Sequence, residues 1–84
     1  MAPELEKYFN NYHSLFRNEG WTQLVEELKN TAVHTNDVQN TKDSEDLYFR
    51  KGQLAVIANL LNLEATVNAS YEQAVEEDKD AQSV

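Results

Sequence analysis

Apolar and aromatic side chains recur at steps of three and four in the first part of the chain, at Leu5, Tyr8, Phe9, Tyr12, Leu15 and Phe16. Glu6, Lys7, Asn10, Asn11, Ser14 and Arg17 fall on the other side, so the stretch predicts an amphipathic helix with one broad aromatic stripe. Pro3 suits its first turn, where a missing N–H would be unpaired anyway, and Glu4 and Glu6 sit at the positive end of the helix dipole. Asn18-Glu19-Gly20 predicts the stop, with the glycine in the left-handed conformation that closes a helical C-terminus. A second helix is expected from about Trp21 or Thr22 into the middle thirties, carried by Trp21, Leu24, Val25, Leu28 and Ala32. Trp21, just past the corner, is placed to wedge the first helix against the second.

Between Thr31 and Asp46 the chain turns to Thr, Asn, Asp, Gln and Ser, whose side chains compete with a helix for backbone hydrogen bonds. The connection is either a loop from His34 or a tight turn near Asn40 to Asp43. The tight turn is preferred, with Val33 and Val38 prolonging the second helix, because long structureless loops are uncommon in compact domains. Asp43 or Ser44 then caps a third helix, Glu45 and Asp46 occupy its first turn, and Asp46 and Arg50 make a surface pair four residues apart.

Leu47 to Leu63 is the most apolar stretch and reads as the central helix. Only Asn59 and Asn62 are polar between Leu54 and Leu63, so nearly its whole circumference is expected to be buried. Gly52 inside it has two readings, the close approach of another helix or a neutral replacement. Phe49 and then Val56, Leu60, Leu63, Val67 and Tyr71 form one continuous packing seam, which carries the helix to about Glu77, unbroken or bent near Asn62. Beyond it, residues 76–84 are expected to fray as an acidic tail.

These elements make an all-α fold: a small bundle of three to four helices, an antiparallel helix hairpin with an N-terminal aromatic-rich helix, in a single domain over residues 1–75. One proline and two glycines in 84 residues fit few turns. A core of this size supplies only about 3–5 kcal/mol. With no cysteine, neither a disulfide nor a thiolate zinc site reinforces it, which leaves self-association as the expected source of further burial. The net charge of −8 opposes direct binding to phosphate backbones, so no nucleic acid is expected as a direct ligand. The charge is uneven, with six acids and four bases in residues 1–42 against nine acids and three bases in 43–84. No apolar run is long enough for a membrane span and the first residues lack a signal-peptide pattern, which points to the cytoplasm.

Candidate chemistry is sparse. His13 and His34 lie on different predicted elements, and neither stands three or four residues from a second credible ligand. Glu72 and Glu76 share a helix face and read as solvated charge rather than a cation site. Ser14, Ser44, Ser70 and Ser83 have no adjacent base and orienting acid, and no glycine-rich loop is present to cradle phosphate. No catalytic, metal or cofactor-binding residue is assigned, and no enzymatic activity is expected.

Leu15-Phe16-Arg17-Asn18-Glu19-Gly20-Trp21-Thr22-Gln23-Leu24, followed by Asp46-Leu47-Tyr48-Phe49-Arg50-Lys51-Gly52-Gln53-Leu54, resembles short helical proteins of tailed bacteriophages, especially T7-like podoviruses. The resemblance covers roughly residues 9–71 and brings no assigned activity. It implies a setting, phage infection, in which small non-enzymatic chains serve virion assembly, genome packaging or interference with the host.

Two functional readings follow. In the first, the chain is a virion structural, assembly or packaging component. It would act through Tyr8, Phe9, Tyr12, Phe16 and Trp21 together with Phe49, Val56, Leu60, Leu63, Val67 and Tyr71, with a second copy or a larger virion protein as partner. In the second, it is an acidic inhibitor that mimics nucleic acid, presenting Glu72, Glu76, Glu77, Asp78 and Asp80 to the basic groove of a host or defence protein. Either places it in the cytoplasm of an infected cell, the first also in the virion.

Overall fold

The structure is a computed structural model that describes residues 1–37 and 40–82. It is all-α, with helices α1 (Pro3–Arg17), α2 (Glu19–Thr35), α3 (Ser44–Leu61) and α4 (Leu63–Gln82). The pairs α1–α2 and α3–α4 each follow almost end to end, so the molecule is a hairpin of two long, interrupted arms. Along it α1 lies against α4 and α2 against α3, and among the described residues α1 does not meet α3, nor α2 meet α4.

Asn18, not Gly20, makes the first interruption. Asn18 is extended (φ −77°, ψ 134°), its N–H ends α1 on the Leu15 carbonyl, and its side chain accepts the Gly20 N–H at 2.7 Å to open α2. Gly20 sits in the first turn of α2, and no glycine has a positive φ. A left-handed glycine would only end one helix, whereas asparagine ends one and caps the next. Asn18→Ala is therefore expected to lower stability by about 1 kcal/mol, read as a lower urea midpoint with unchanged slope.

The second interruption falls at Asn62, which decides for a bend there over an unbroken helix. The backbone stays near helical (φ −91°, ψ −2°), with Asn62 N–H on the Ala58 carbonyl at 3.0 Å. Leu61 and Leu63 are both half-buried. An unbroken helix would set residues two apart about 200° from each other, so the interruption re-phases the inward face. On one side of it α3 buries Ile57, with Leu54 and Leu61 half-buried; on the other α4 buries Val67 beside half-buried Leu63 and Ala74. The continuous seam from Phe49 to Tyr71 is thereby split. Leu63 and Val67 turn inward, while Phe49 and Val56 are 65% and 60% exposed.

The expectation that Leu54–Leu63 is buried all round is also overturned. Among the described residues, apart from its continuation α4, only α2 packs on α3, and one neighbour covers one stripe of a helix. The core of the described residues consists of Phe9, Trp21, Ile57 and Val67, and no large side chain among them is fully buried. The molecule measures 60 × 27 × 16 Å with a radius of gyration of 18.1 Å, where a compact domain of this length has about 12 Å.

The turn and the tail differ from expectation as well. α2 ends at Thr35, capped by the Asn36 N–H on the Ala32 carbonyl at 2.9 Å, so the connection is the longer one, 36–43; Val38 lies outside the described residues. Within it Thr41 Oγ1 donates to the Asp37 carbonyl at 3.1 Å and the Lys42 N–H to Asp46 Oδ2 at 3.0 Å. At the other end, residues 76–82 continue α4 rather than fray. Asp78 accepts the N-terminal ammonium at 2.7 Å and Lys79 lies 3.6 Å from Glu76, contacts that offset the unfavourable placement of acids at a helix C-terminus.

Candidate functional site

Two apolar surfaces emerge from the sequence-predicted residues, one closed and one open. The closed one is an aromatic cluster between α1 and α4. Phe9 is 3% exposed and meets the edge of Tyr71 with ring centres 5.3 Å apart. Tyr8 and Tyr12 pair at 5.2 Å, Tyr12 stacks on Phe16 at 5.8 Å, and Phe16 meets buried Trp21 at 5.3 Å, so the stripe runs past the Asn18 corner as Trp21 was expected to carry it. His13 completes the cluster, its ring 4.9 Å from Tyr71 and nearly perpendicular to it. The place of His13 four residues after Phe9, on the aromatic face, was the signal in the chain that it packs. These rings join the two arms, and edge-to-face pairs contribute about 0.5–1.5 kcal/mol each beyond burial.

The open surface is the outer side of α3. Tyr48, Phe49 and Val56 are exposed at 71%, 65% and 60%, and Leu60 is also exposed. Gly52 lies among them with no atom within 4 Å of where a Cβ would stand, so the close approach that Gly52 suggested does not occur within the chain. Tyr48, absent from the predicted site, belongs to this face. Glu45 and Asp46 balance Arg50 and Lys51, and no charged residue occurs from Gly52 to Leu63. This surface is neutral on a strongly acidic chain.

Arg50 does more than pair with Asp46. Its Nε lies 3.3 Å from Asp46 Oδ2, while Nη1 donates to the Thr35 carbonyl at 3.1 Å and Nη2 to the Asn40 carbonyl at 3.4 Å. One guanidinium thus fastens the end of α2 and the connection to α3. Asp46 also accepts the Lys42 N–H at 3.0 Å, and that bond, then Arg50, holds its carboxyl below its ordinary pKa. A depressed carboxylate pKa stabilises the fold above the unfolded value, and the contribution is lost as pH falls through the folded one. Acidification below the ordinary carboxylate range is therefore expected to lower the protection factor of the Lys42 amide, the intrinsic exchange rate at the same pH divided by the observed one, and Asp46→Asn to abolish that pH dependence.

The acids of α4 do not form one array. Glu77 accepts from Gln73, Glu76 and Asp78 are engaged as described, and an open groove beside Tyr71 is lined by Glu72, Val75, Glu76 and Lys79. Asp80 lies near the C-terminal end of the same helix. Among the described residues no group of three or more His, Cys, Asp or Glu is placed to hold a metal ion, and no helix is long and apolar enough to cross a membrane. Comparison with known protein families, curated proteins and solved structures finds no match to this chain.

Proposed function

We propose that this chain is a non-enzymatic helical interaction protein of a tailed phage, a structural, assembly or packaging component that works through an apolar helix face in the infected cell or the virion. The observation that supports this reading is the exposed Tyr48–Phe49–Val56–Leu60 face on a helix with one lateral neighbour among the described residues. Large apolar residues gathered on one exposed face are the usual mark of a protein contact. The test is a phage genome lacking the coding sequence. Lysates are expected to hold fewer complete particles, with aberrant ones by electron microscopy, in every permissive host.

The acid-rich α4 supports the second reading, an inhibitor seated on a basic protein groove. That reading expects normal particles from the deletion phage and a growth defect confined to hosts that carry the target. Glu72→Gln, Glu76→Gln and Glu77→Gln together would reproduce the defect in that case and leave assembly untouched in the first.

A further inference from the structure

We infer that the occupant of the outer face of α3 is a second copy of this chain, its α3 crossing the first in antiparallel sense about a two-fold axis between Gly52 and Gln53. The inference rests on the interaction reading above and assigns its partner.

Surface area is the first ground. The chain exposes 6665 Å², whereas a compact monomer of its mass exposes about 5,100 Å². The excess, roughly 1,500 Å², falls within what each subunit of an obligate dimer covers, about 1,000–2,500 Å².

Charge is the second. A copy carrying −8 is repelled from most of this molecule, and most of all from α4. The α3 outer face is where a second acidic chain meets least like charge: none lies between Gly52 and Leu63, Glu45 stands on the same face at its N-terminal end, and Lys51, over the Tyr48 ring, brings the opposite sign. A basic partner would instead be drawn to α4.

The third ground is shape. An isologous contact needs a face that complements itself. Phe49 and Val56 are seven residues apart, so an axis midway between them sets Phe49 of each copy on Val56 of the other, with the bare backbone of Gly52 at the crossing. Without a side chain there, the helices approach closely enough for the flanking residues to interlock.

The chain has no cysteine of its own, which makes disulfide trapping clean. Phe49→Cys and Val56→Cys chains, each carrying one thiol, are mixed and oxidised. The mixture is expected to yield a cross-linked dimer containing both variants, while neither variant alone does, because like positions lie about 10 Å apart along an antiparallel pair. Val33→Cys, on an exposed site of α2, serves as the control. Gly52→Ala is expected to raise the dimer dissociation constant by tenfold or more. A doubled mass with equal cross-linking at Val33, or with none in the mixture, overturns the α3 face while leaving self-association. A monomeric mass for the native chain overturns the second copy as occupant and leaves the broader interaction reading to the phage deletion. A Gly52→Ala chain that dimerises as tightly as the native one overturns the crossing point.

Discussion

Phe9→Ala is expected to unfold most of the chain. Phe9 is the most buried core residue, and its ring touches Tyr8 on its own helix and Tyr71 across on α4. Truncating a buried aromatic to alanine costs about 3–5 kcal/mol, through lost transfer energy and the cavity left behind. That equals the whole stability of about 3–5 kcal/mol that a core of this size supplies. Far-UV circular dichroism should show most of the helical signal gone, since helices of this length are marginal without packing. Tyr8→Ala, one residue away but 49% exposed, should keep it. If Phe9→Ala melts like the native chain, the α1–α4 packing described here is wrong.

The second large effect separates two adjacent residues. Ile57 is 7% exposed and faces α2, so Ile57→Ala should cost about 2–4 kcal/mol at any protein concentration. Val56 points away from α2 and is exposed in a single copy, so nothing within the chain depends on it. Val56→Ala should therefore leave the stability of the dilute chain unchanged and lower the melting temperature only where association contributes to it, by mass action. A thermal series over a wide concentration range checks both: a shift for Ile57→Ala that is constant, and one for Val56→Ala that grows with concentration. Equal, concentration-independent losses would contradict the division of α3 into an inner and an outer face.

Much of this architecture was legible in the chain. The helical spacing of Leu5 through Phe16 placed α1, Pro3 its start, Asp43 or Ser44 the cap of α3, and Asn62 a bend if the helix was to break, because each depends on local backbone chemistry. What was not legible depended on how many neighbours each helix finds. Val56 and Ile57 are adjacent and equally apolar, and only the docking of α2 decides which is covered. The corner at Asn18 was misplaced by two residues because glycine is the commoner stop, although asparagine was there to serve as stop and cap together. Arg50 read as half of a minor surface pair, since its bonds to the Thr35 and Asn40 carbonyls join groups far apart in sequence. Residues 76–82 looked unfit for a helix end until the chain brought Asp78 to the N-terminal ammonium.

This small chain is extended because four helices in two arms give each helix a single lateral partner among the described residues, and four of those residues form the buried core. The central claim is that a second copy supplies the missing burial. Native mass by light scattering, over a range of concentrations at low and at high salt, tests it most directly. A discrete species of twice 9.7 kDa that persists or tightens in salt is expected, because screening weakens the repulsion between two chains of charge −8. A species of 9.7 kDa at every concentration and salt, with full helical content, would contradict it.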